Sequence, residues 1–281
     1  MTPRTLGSRL ASLGVTALGA AVAVIAALRV GDAGYAWFAR ALGAGYGSES
    51  QGLRWIAWLV PMMTTLAAAV LVAGLATRIG FGRALAFRRP GIGTRGVALV
   101  LLGGGFLQYL GFVLLQSLFD EPTPGMADVM TSLRDARWPS AWIVLAGLAF
   151  LPAIGEELLF RGWLQHRLGT ALHPVVALLV TSTLFALWHR DPQHVASVAP
   201  GAIYFGYVFW HTRSLPLTMA LHAFDNAVVF LAVNAGLVRE DGLHPGLRIA
   251  AFVVALPALV GAILVLERRH RAAPSAIRPS R

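Results

Sequence analysis

Eight apolar runs set the limits on what this chain can fold into. They lie at about 10–29, 53–77, 96–118, 141–163, 174–189, 195–210, 216–237 and 246–266. Most match the roughly 20 residues that a helix needs to span a bilayer. In hydrocarbon the backbone has to satisfy its own hydrogen bonds, so such runs fold as packed helices. The runs at 174–189 and 195–210 are short and are expected to be tilted, joined or partly re-entrant. The first run follows Arg4 and Arg9 like a signal peptide, but it is longer than the usual apolar core of about 7–15 residues, so it reads as membrane helix 1. Composition agrees: 57% of residues are hydrophobic and 13% charged, against about 45–50% and 25% in soluble domains. The expected fold is all-α, a polytopic bundle of about eight transmembrane helices around an intramembrane polar cavity. It divides into N-terminal helices (1–135), a core (136–237), and a last helix with a basic tail (238–281) whose residues 267–281 are expected to be disordered.

The charges between the runs give an orientation. Loop 78–95 carries Arg78, Arg83, Arg88, Arg89 and Arg95 without an acid. Loop 119–140 carries Asp120, Glu121, Asp128 and Asp135 against Arg134 and Arg137, and the tail has Arg268, Arg269, Arg271, Arg278 and Arg281 against Glu267. Eight spans and the preference of basic loops for the cytoplasm put both termini inside. After Pro122, Pro124 and Gly125, the stretch MADVMTSLRDARW reads as an amphipathic helix on the outer surface. The formal charge of +10 sits in loops and termini, which argues against a nucleic-acid partner. Every basic residue is arginine, which fits a GC-rich bacterial genome and so a bacterial plasma membrane. The chain has no cysteine, so disulfides, thiolate metal sites and cysteine nucleophiles are excluded.

Within run 141–163, Gly155-Glu156-Glu157-Leu158-Leu159-Phe160-Arg161 places two acids in apolar surroundings. A charge at the centre of a membrane helix costs about 2.5–3.5 kcal/mol on insertion scales, so each needs a partner or a polar cavity. Glu157 and Arg161 stand i, i+4 and can pair on one face; Glu156 is turned about 100° away and needs another partner. Further polar groups occur in Phe185-Ala-Leu-Trp-His189, around Tyr204 and His211, and in His222-Ala-Phe-Asp-Asn226. Singly, each has an ordinary explanation: His211 and His189 as interfacial residues, Asn226 as helix-packing glue, Glu157–Arg161 as a structural ion pair. Together, Glu156, His189, His222 and Asn226 form a set that packing explains poorly. A carboxylate can deprotonate water with an imidazole orienting it. A second imidazole and a carboxamide can donate to an oxyanion. The zinc signature H-E-x-x-H and the serine elbow G-x-S-x-G are both absent. Two histidines and a glutamate from separate helices still leave a Zn²⁺ site open, with Glu156, His189 and His222 as the ligands.

The order Glu156-Glu157-x-x-x-Arg161, Phe185-x-x-x-His189, His222-x-x-x-Asn226 resembles the three motifs of the CAAX-processing and bacteriocin-processing (CPBP) intramembrane proteases, which include the type II CAAX prenyl endopeptidases. The stretch from Gly201 to Asn226 is also similar to that family's Gly-rich helix, turn and third-motif helix, with the turn reading His-Thr-Arg-Ser-Leu at 211–215. The resemblance spans about residues 140–230. It implies that Glu156 activates water with His189, that His222 and Asn226 form the oxyanion hole, and that Glu157, Arg161 and Phe185 support the site. It further implies an endopeptidase acting on a peptide or membrane-protein substrate by a metal-free mechanism, with no cofactor. Two other readings stay open: a zinc protease, and a non-proteolytic membrane protein, either a proton-coupled transporter or an immunity-type scaffold. Inverted repeats and paired broken helices, which would favour a transporter, are absent from the sequence.

Overall fold

A computed structural model describes residues 6–42, 49–75, 85–137, 140–239 and 242–272, which are almost wholly helical. The helices are α1 (Leu6–Leu42), α2 (Glu49–Leu75), α3 (Gly93–Leu118), α4 (Pro124–Arg134), α5 (Ser140–Glu157), α6 (Pro174–Trp188), α7 (Pro192–Thr212), α8 (Leu215–Asn234), α9 (Pro245–Ala250) and α10 (Leu256–Ala272). Helix α5 runs on through a π-helical stretch, Leu158–Gln165, into a last turn at His166–Leu168. A second π-helical stretch, Ala251–Ala255, joins α9 to α10. A two-stranded antiparallel hairpin, Val238–Arg239 against Gly242–Leu243, follows α8.

Among the described residues, six helices are long and apolar enough to cross a membrane: 14–37, 54–75, 93–118, 141–168, 215–234 and 245–272. The count of eight is therefore not reached. The run at 174–189 forms a shorter apolar helix, and the run at 195–210 lies in α7, whose polar residues keep it out of that set. The outward faces are apolar, with Ile143, Phe150, Leu187 and Val253 all more than half exposed. Side chains of that kind facing outward from buried small and polar residues mark an integral membrane protein, whose outer solvent is lipid. Two more expectations change. The first helix extends well past residue 29, to Leu42. Residues 267–272 are the end of α10 rather than disordered tail, and 273–281 lie outside the described residues.

Packing follows the membrane rule that small residues let backbones approach. A Cβ on Gly103 would come 2.8 Å from the Leu259 Cα, so α3 lies directly against α10. At α1, a Cβ on Gly34 would come 2.6 Å from the Pro61 ring of α2. One apolar cluster joins α1, α2, the π-helical stretch and the ends of α6 to α8 through Leu66, Leu159, Phe160, Phe185, Phe209 and Leu215. A second joins α3, α7, α8 and α10 through Val100, Val208, Leu221, Ala262 and Leu266. The amphipathic stretch after residue 122 is α4, started by Thr123 as N-cap and Pro124 in the first turn. It is tied to the bundle: its Met126 and Leu133 are buried, and Thr123 Oγ1 donates to Asp191 Oδ2 at 2.6 Å.

Candidate active site

Three separate local structures present the polar side chains. Directly after Glu157 the α-helix widens into the π-helical stretch Leu158–Gln165, and all eight of its residues are buried. Wide turns of this kind are frequent at functional sites. Helix α6 ends at His189, and Arg190 takes a left-handed conformation (φ 61°) that lets Asp191 cap α7 by accepting from the Gln193 and His194 N–H groups. Partial burial pushes the Asp191 carboxyl up, but the Thr123 hydroxyl and those two N–H groups outweigh it and hold the carboxyl below its ordinary value. This tight turn sets the His189 and His194 rings edge to face with centroids 4.4 Å apart. At the start of α8, Arg213 (φ 50°) closes α7 and Ser214 caps α8, which sets the rotation of His222, Asp225 and Asn226.

A cavity of about 1450 Å³ opens between these elements, and Glu156, Phe185, His189, His222 and Asn226 all line it. Trp188 Nε1 donates to Glu156 Oε1 at 3.0 Å. The other oxygen, Oε2, is buried without a hydrogen-bond partner and lies 3.9 Å from His222 Nε2. His222 makes its closer contact through Nδ1, 3.1 Å from Glu157 Oε1. Arg161 Nη1 donates to that same Glu157 oxygen at 2.8 Å, and both side chains are fully buried. Arg161 also donates to the Ala202 carbonyl at 3.0 Å and lies over the Phe185 ring at 4.3 Å. Phe185 in turn packs edge-on against His189 and His222, at 5.3 and 5.7 Å between centroids.

His189 is held by its other side. Its Nδ1 lies 3.0 Å from the Phe185 carbonyl. A carbonyl has no proton to give, so Nδ1 carries the hydrogen, and in the neutral ring Nε2 keeps a lone pair. The neutral ring can thus accept a proton at Nε2. No hydrogen bond joins it to Glu156; the two meet as walls of one cavity. Asn226 Nδ2 donates to the Leu148 carbonyl at 3.1 Å. That carbonyl stands four residues before Pro152, which lies inside α5 and has no N–H to offer it. Asn226 makes good the missing helical bond with one amide hydrogen and keeps a second free to donate.

Other polar residues fall elsewhere. Asp225 faces α3, where a Cβ on Gly104 would come 2.5 Å from its Oδ1. Tyr204 donates to the Val100 carbonyl at 3.1 Å, also against α3. His211 is buried, 3% exposed, and its Nε2 lies 3.2 Å from Glu267 Oε1. Sequence reasoning passed over Trp188 and His194. An indole N–H in an apolar segment needs an acceptor, and that need was the available signal for Trp188. Among the described residues no three His, Asp or Glu side chains are grouped as a metal site.

Residues 138–228 match the family model described as Type II CAAX prenyl endopeptidase Rce1-like. The matched segment holds every lining residue named above, from Glu156 to Asn226. Comparison with curated proteins and with solved structures found no match.

Proposed function

Taking the match of residues 138–228 to that endopeptidase family as its premise, we propose that this chain is an intramembrane endopeptidase in which Glu156 activates the attacking water. The observation that carries the reading is the meeting of Glu156, His189, His222 and Asn226, from three separate stretches of chain, on one cavity. Glu156 Oε2, which has no hydrogen-bond partner in the protein, takes a proton from water while His189 Nε2 accepts the water's other hydrogen bond and orients it. The water oxygen adds to the scissile carbonyl, and the oxyanion receives hydrogen bonds from the free amide hydrogen of Asn226 and from His222 Nε2. The same ring is held from its other side by Glu157 at Nδ1. Glu156 then returns its proton to the leaving amine as the C–N bond breaks.

Glu157, Arg161 and Phe185 act through their neighbours in this scheme: they fix His222 and the π-helical stretch. No metal or other cofactor takes part. The substrate is a peptide or a membrane-associated protein, reached from the bilayer, and both termini lie on the cytoplasmic side of a bacterial plasma membrane. Incubating purified protein with a library of peptides and membrane proteins tests the proposal. Products that form with the unaltered protein and are missing with Glu156→Ala support it; a library left intact by both, or cut equally by both, contradicts it.

A further inference from the structure

Among the described residues, the end of the bundle remote from Asp191 and His194 gathers positive charge without an acid to balance it. Helix α3 has 26 residues, so its two ends stand about 39 Å apart at 1.5 Å per residue. Its far end, Gly93, adjoins the segment 85–92 with Arg88 and Arg89. Arg88 Nε donates to the Arg213 carbonyl at 2.9 Å, and Ser214 Oγ donates to the Arg88 carbonyl at 2.6 Å, which locks that segment to the α7–α8 turn. A Cβ on Gly169 would come 3.8 Å from the Arg213 guanidinium, which brings in the turn that holds His166 and Arg167. The charges acting on His166 are those of Arg213, Arg167 and Arg88.

Burial, with the neighbouring Arg269, pushes Arg88 below the ordinary arginine value, and burial, with Arg88, does the same to Arg213. Among the described residues, no acid is among the charges acting on Arg88, Arg167 or Arg213. The one acid nearby in sequence, Glu267, is taken up by Tyr207 at 3.0 Å and His211 at 3.2 Å. Among the described residues, Arg167 Nε and His166 Nδ1 are buried without a hydrogen-bond partner. Like charges gathered at this range repel unless an anion lies between them.

We propose that Arg88, Arg213 and Arg167, with His166, form a binding site for the phosphate of an anionic phospholipid headgroup. The depth selects lipid over other anions. Two candidate spans end beside the site, 141–168 at Leu168 and 215–234 at Leu215, and the ends of a spanning helix are where the headgroups begin. The Arg167 guanidinium lies 3.8 Å over the Trp163 ring, an aromatic and basic pairing typical of that level. Basic pockets between membrane helices bind phospholipid headgroups in this way. The bound lipid ties α7, α8 and the end of the π-helical stretch together, on the side away from the cavity mouth.

The test is binding of phosphatidylglycerol and phosphatidylcholine to delipidated full-length protein in detergent, read by native mass spectrometry. Phosphatidylglycerol is expected to bind at least tenfold more tightly than phosphatidylcholine. Arg88→Gln/Arg213→Gln is expected to lose at least tenfold more affinity than the charge-matched Arg89→Gln/Arg95→Gln. In the unaltered protein, phosphatidylglycerol should also slow amide exchange over residues 211–217, which needs no variant to fold. Equal loss in both double variants, equal affinity for the two lipids, unchanged exchange over 211–217, or displacement of the lipid by millimolar inorganic phosphate would each overturn the site. Because lipid binding is measured directly, the outcome is independent of whether the protein cleaves peptides.

Discussion

Glu157 and His222 are joined by a 3.1 Å hydrogen bond between Oε1 and Nδ1, and the same oxygen receives the Arg161 guanidinium at 2.8 Å. One fully buried carboxylate thus links the ion pair within its own helix to a histidine of the cavity wall. His222 meets Glu157 more closely than it meets Glu156, at 3.1 against 3.9 Å.

Removing Arg161 leaves that carboxylate buried without its cation. Breaking a buried pair from one side costs about 3–5 kcal/mol, and Arg161 also holds the Ala202 carbonyl. Arg161→Ala is therefore expected to lose folded protein in detergent, measured by thermal unfolding and size-exclusion chromatography. A normal unfolding temperature would contradict the structural part of its role.

Asn226 is expected to serve both fold and chemistry. Asn226→Ala removes the donor for the Leu148 carbonyl, a loss of about 1–3 kcal/mol for an acceptor left unsatisfied. Pro152→Ala restores a backbone N–H at the position that lacks one. The double variant should thus regain most of the stability lost by Asn226→Ala without regaining turnover. Additive loss of stability in the double variant would show that the two residues do not share that carbonyl.

Metal dependence separates the glutamate mechanism from a zinc one. A catalytic zinc takes about three protein ligands and a water, which would consume Glu156, His189 and His222. Active protein is expected to hold well below one equivalent of zinc and to keep its activity in a chelator. Activity lost to the chelator and restored by stoichiometric Zn²⁺ would make those three residues ligands instead.

Much of the candidate site was legible in the sequence because an ionisable group in lipid has to be accounted for wherever the chain folds. Glu156, His189, His222 and Asn226 all line the cavity, and the Glu157–Arg161 pair follows from helical spacing alone. Contacts that depend on how helices are rotated against each other were not legible. The Glu157–His222 bond, the Trp188 donor to Glu156 and the repair of Pro152 by Asn226 each join residues brought together only by packing. The count of eight spans is not confirmed, for a related reason. The run 195–210 counts as a short apolar segment in the sequence, but α7 buries Tyr204, Phe205, Val208 and Phe209 between its neighbours and carries polar residues at its start.

The most direct test of the central claim is single-turnover cleavage of a peptide substrate by Glu156→Gln. The substitution keeps the shape of the side chain and its acceptor for Trp188 while removing the base. Loss of general-base catalysis typically costs about 10²–10⁴-fold. Glu156→Gln should therefore bind the labelled peptide with unchanged affinity and cleave it at least about a hundredfold more slowly than the unaltered protein. Cleavage by Glu156→Gln within a few-fold of the unaltered rate would contradict the account.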